Sequence, residues 1–246
     1  MTAASWALLA ALDASPYAGF AHRPGWSQPG ALLDWCRSLP GGTVWLPAAM
    51  HAAAWTLMIG AMMLPTTYPL LAMFARVLER RPDRARLLAA TIGGFVLAWF
   101  AFGVVAHALD AMVVLVAARV PAISLNADLV GAAVLAGAGA FQFSALKYRC
   151  LEQCHSPFSF VSARWRGVAP AREAWRLGID HGLFCVGCCW ALMLLMFVVG
   201  VGSLGFMLAL AVVMAAEKNL PWGRRLRTPL GLVLFGWAAA LVVLRG

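Results

Sequence analysis

The chain alternates between long apolar runs and short polar breaks rich in arginine. A helix needs about 20 apolar residues to cross a bilayer, and the runs are read against that length. The first span is expected over about 45–64, continuing past Pro65 and Pro69 as a kinked helix to Phe74, because proline removes a helix donor and clashes with the preceding turn. A second is expected over about 87–109 and a third over about 127–146. The run 182–216 is too long for one span and is broken at Gly200-Val201-Gly202, which predicts two antiparallel helices joined by a glycine turn. A last span is expected over about 229–244. The pattern therefore predicts an all-α, polytopic transmembrane bundle of about six spans, with a short helix before it.

That short helix is the apolar run Ala3 to Leu12, which is under span length and has no Lys or Arg ahead of it, so a signal peptide is not expected. It reads as an interfacial or truncated helix. Residues 13–43 carry four prolines and five glycines and read as a loop, with Trp26 and Trp35 as headgroup-level anchors. The organisation expected is an N-terminal segment and outward-facing loop, 1–44, followed by one helical domain, 45–246.

Composition strengthens the membrane reading. The 246 residues are 63% hydrophobic and 12% charged, against about 45–50% and about 25% in soluble domains. Mean hydropathy is +0.81. The net charge of +9 is distributed by loop: 76–86, 147–180 and 217–228 hold fifteen of the nineteen Lys and Arg residues. They alternate with loops holding only Arg23, Arg37, Arg119 and Arg245, as the positive-inside rule requires. Residues 13–43 and Gly246 then face outward. The arginines form no patch interleaved with aromatics, so no nucleic-acid partner is expected. An amphipathic segment is expected around Ala171 to Ile179, and the arginine-rich stretch 164–176, with Trp165 and Trp175, reads as an amphipathic surface helix resting on anionic lipid. No phosphate-binding glycine loop, paired catalytic carboxylates or G-x-S-x-G element is present.

Sulfur supplies the candidate chemistry. Cys185, Cys188, Cys189, Leu192 and Met196 share one helix face, with Met193 at its edge. Cys150 and Cys154 form an i, i+4 pair just past the inner end of the third span, and Met62 and Met63 close the first. His155 and His181 border the two cysteine groups. Topology brings all of these to one membrane depth. A single membrane cysteine behaves as a small apolar residue; five at one depth point to a site for a soft metal, Cu(I) first and zinc second. Met50, His51 and Met58 would extend the sulfur outward as a ladder, although a methionine stripe is more often packing. Lys147 is expected to snorkel to the interface, Gln142 to need a partner, and Lys218 to be structural, with Glu217 open as a metal neighbour.

The elements Ala61-Met62-Met63-Leu64-Pro65, Lys147-x-x-Cys150-Leu151-x-x-Cys154, Gly182-x-x-Cys185-x-Gly187-Cys188-Cys189-Trp190-x-Leu192-Met193 and Glu217-Lys218 resemble those of a bacterial family of predicted metal-binding integral membrane proteins. The likeness covers about 45–245. It implies a multi-pass inner-membrane protein and carries the motif onto Met62, Met63, Cys150, Cys154, Cys185, Cys188 and Cys189. This chain departs from the family pattern at His155, where Arg is usual, at Gly202-Ser203, and in its abbreviated segment before residue 45. The expected function is metal handling or transfer, with lipid, the ion and a partner protein exchanging metal as the contacts. Thiol–disulfide exchange through Cys185-x-x-Cys188 and a purely structural helical subunit stay open beside it.

Overall fold

A computed structural model describes residues 2–14, 45–120, 127–199 and 203–244. Among the described residues the chain is helical throughout, without strands. Ten α-helices follow one another: α1 (Thr2–Asp13), α2 (Trp45–Met58), α3 (Tyr68–Val77), α4 (Arg84–Arg119), α5 (Ala127–Gln142), α6 (Ala145–His155), α7 (Pro157–Arg164), α8 (Pro170–Val199), α9 (Leu204–Asn219) and α10 (Arg227–Val243). Trp26, Trp35 and the glycine turn at 200–202 lie outside the described residues.

Three helical stretches, Arg84–Val113, Pro170–Val199 and Gly223–Val243, are long and apolar enough to cross a membrane. Two bent pairs, Ala52–Met63 with Pro65–Val77 and Asp128–Gln142 with Ala145–His155, raise the number to five if each counts as one span. The difference from six lies in α9, which has 16 residues. The separate surface helix expected at Ala171–Ile179 is absent. Those residues are the opening turns of α8, and the Trp175 ring lies over Gly93 of α4.

The bend after α2 follows from its sequence. Pro65 has no amide hydrogen, so the helix cannot continue with regular bonding. Ile59–Met63 instead form a π-turn, closed by Leu64 N–H donating to Ile59 O at 3.0 Å. Carbonyls at the turn accept from side chains instead. The Trp6 indole N–H on α1 donates to Ala61 O at 3.2 Å. Thr66 and Thr67 donate their hydroxyls to Met63 O at 2.8 and 3.2 Å. The N-terminal helix is thus a brace on the turn. Trp6→Phe keeps the ring and deletes the donor; it is expected to cost about 0.5–1.5 kcal/mol, read as a lower thermal midpoint in detergent.

The core is built on the contact between α4 and α8, where glycines set the separation. A Cβ at Gly178 would lie 2.0 Å from Thr91 O, one at Gly94 2.4 Å from Trp175 O, and one at Gly182 2.6 Å from the Ala98 Cβ. Small residues at these places allow the two backbones to touch. Thr91 uses the closeness, its hydroxyl bonding Ala174 O across the crossing at 3.1 Å. The second bend, 60° between α5 and α6, is capped by Ser144, whose hydroxyl accepts from Lys147 N–H at 3.1 Å. That turn directs α6, with Cys150 and Cys154, along the flank of α8.

Candidate metal centre

The π-turn, α6, α8 and α9 converge on a buried group of sulfur and charge. α8 supplies Cys185, Cys188 and Cys189, all buried. The Cys188 and Cys189 thiols donate to Cys185 O at 3.1 and 2.9 Å, the ordinary way for a helical cysteine to satisfy itself. Cys154 comes from α6 and packs against the core cluster that holds Cys185, Cys188 and Cys189. Cys154 is half-buried, the one described cysteine that is not fully enclosed. Met63 completes the sulfur from the π-turn, its Sδ 3.9 Å from Cys189 Sγ.

The other predicted residues divide. Cys150 is buried one turn before Cys154, and its Sγ lies where a Cβ on Gly187 would fall, at 2.6 Å; it packs beside the cluster, against α8. Met62 and Met193 are buried in the same core without a polar contact to the thiols. His155 turns away: its Nε2 is 2.8 Å from Glu217 O and ties α6 to the end of α9. His181 stacks on Phe95 and meets Phe160 edge-on, with ring centroids at 5.8 and 5.4 Å, and its Nδ1 has no hydrogen-bond partner among the described residues. Of the ladder, Met58 is buried in the core, while the side chains of Met50 and His51 lie outside the description.

Charge is where the sequence reading fails most. Lys147 does not snorkel. It is wholly buried and holds both carboxylate oxygens of Glu217, at 2.9 and 2.8 Å, as well as Gln142 Oε1. Glu217 is therefore occupied by a lysine and does not face the thiols. Lys218, its neighbour on α9, takes that place instead. Its Nζ is 2.9 Å from Cys185 Sγ, 3.5 Å from Cys189 Sγ, 3.9 Å from Met63 Sδ and 3.4 Å from Thr66 Oγ1. The signal was Glu217-Lys218 closing an apolar helix, where a buried pair of ionisable groups needs two separate partners. Thr66 carried no signal; its place comes from the turn that Pro65 forces.

Two soft thiolates with a thioether beside them suit a d10 ion such as Cu(I). Among the described residues no three Cys, His, Asp or Glu side chains stand as a group able to hold an ion.

The helices enclose a buried cluster of thiols with a thioether beside it. The sequence model of the family PpoB2, copper chaperone, matches residues 52–241. The chain belongs to that family, and the membership ties it to copper. The match begins inside α2 and ends inside α10, so it contains every element of the centre. No match to the chain was found among curated proteins or among solved structures.

Proposed function

We propose that the protein is a multi-pass inner-membrane carrier that holds Cu(I) on two thiols of the Cys185, Cys188 and Cys189 cluster beside Met63, near the cytoplasmic face, and passes it through Cys154 to a partner protein. The observation that carries this reading is the packing of Cys154 on α6 against the buried thiols of α8, next to a methionine from a third segment. Cys154, being half-buried, is the sulfur through which an ion is exchanged with the outside; the buried thiols retain it. Transfer between successive pairs keeps a soft ion on sulfur throughout, without a free aquated state. Apolar helices and the alternation of arginine loops support the bilayer placement. Burial speaks against thiol–disulfide exchange, which requires an accessible thiolate.

The test is anaerobic Cu(I) titration of the detergent-solubilised chain against a competing chelator. The Cys188→Ser, Cys189→Ser double variant is expected to lose at least about 100-fold in affinity, beyond the 10–100-fold typical of losing a supporting neighbour. Unchanged tight binding in that variant would sink the assignment.

A further inference from the structure

We propose that Lys218 is the fixed countercharge of this centre, and that it restricts the bound ion to a monovalent one held by two thiolates. The inference rests on the copper reading and adds to it the charge of the complex that the protein accepts.

Lys218 is buried, with 4% of its surface exposed. What faces its ammonium is sulfur and one hydroxyl: Cys185 and Cys189 from α8, Met63 from the π-turn, and Thr66 from the turn that follows. Among the described residues no carboxylate lies within ion-pair distance of it. The adjacent Glu217 is held at both oxygens by Lys147. Those two charges cancel, and the ammonium of Lys218 is left over in surroundings that penalise an uncompensated ion.

A monovalent ion bound by two thiolates carries one negative charge, which the ammonium balances. A divalent ion bound by the same two thiolates is neutral and leaves the ammonium uncompensated. A third thiolate would repair that balance, but the described side chains do not form a three-donor group. The ammonium thus favours the bis-thiolate complex of Cu(I) or Ag(I) over that of Zn(II). It acts as a positioning and charge-setting residue rather than as a ligand, since a protonated lysine has no lone pair to give.

The experiment compares wild type, Lys218→Arg and Lys218→Met, full-length in detergent, with helical content checked by circular dichroism. Cu(I), Ag(I) and Zn(II) are titrated separately by competition. The Met variant is expected to lose about 10–100-fold for both monovalent ions and to keep its Zn(II) affinity, so that selectivity falls. The Arg variant, still charged, is expected to restore most of the monovalent affinity. Lys218→Gln, neutral but polar, repeats the measurement if the Met variant does not fold. Three results overturn the proposal: full Cu(I) and Ag(I) affinity in the folded neutral variants, equal losses with Arg and Met, or equal weakening of all three metals. Failure of wild type to bind Cu(I) or Ag(I) at all strikes at the copper reading itself, whereas a Met variant equal to a binding wild type removes only the role of Lys218.

Discussion

Glu217→Leu is expected to destabilise the protein by about 3–5 kcal/mol, because it strands the wholly buried Lys147 ammonium with only Gln142 as a partner. Removing one member of a buried ion pair exposes the full desolvation cost of the other. Removing both members together does not. The double variant Lys147→Met, Glu217→Leu is therefore expected to recover most of the loss, a coupling that two independent sites would not show. The check is thermal unfolding in detergent, followed by circular dichroism, for the four members of the cycle. Additive losses would mean that the pair is not the stabilising unit. Glu217 also presents its backbone carbonyl to His155. That bond survives either substitution, so the ties between α6 and α9 are not all lost at once.

Gly178→Val is expected to prevent α4 and α8 from docking. Even the first carbon of a side chain would sit 2.0 Å from Thr91 O, a backbone atom that cannot rotate aside. Overpacking of a core costs about 1–3 kcal/mol and occasionally more; a forced separation of two long helices belongs at or above the upper end. It would also pull apart the Thr91–Ala174 hydrogen bond and, one turn on, the Gly182–Ala98 contact. Gly137 in α5 is the matching control, since nothing lies within 4 Å of a Cβ there. Gly137→Ala is expected to be neutral or to stabilise by up to about 1 kcal/mol from helix propensity. Yield of monodisperse protein and thermal midpoint read both variants; a Gly178 variant as stable as the Gly137 one would refute the packing argument.

Features written along one helix were legible in the sequence. Apolar runs marked α4, α5, α8 and α10, and the shared face of Cys185, Cys188 and Cys189 followed from spacing alone. Cys154 could be brought to Cys188 by topology, because loop charge placed the ends of their helices on one side. Features written between helices were not legible. Lys147 and Glu217 are 70 residues apart, and no local pattern says that a lysine near the end of an apolar run will be satisfied inward rather than by snorkelling. Lys218 is the same case with sulfur as the neighbour. Pro65 did predict a kink, but not its form, since a π-turn depends on what can replace the lost donors: an indole from α1 and two threonine hydroxyls. The close approach of α4 at Gly178 and Gly182 was not read from the sequence. The surface helix at Ala171–Ile179 was misread because its arginines are exposed while Ala174 and Leu177 of the same turns are buried, a mixed face that suits a lipid surface and a helix start equally.

The π-turn makes the segment 59–63 intolerant of a change in residue count. One amino acid more than a regular turn is accommodated there, and a helix advances about 100° per residue. Deleting any one of the five would let the helix run regularly into Pro65 while rotating Met63 by roughly a quarter turn, away from Cys189 and Lys218. A codon-sized loss cannot pass through this stretch even where Met63 itself is kept, because the insertion itself aims the thioether.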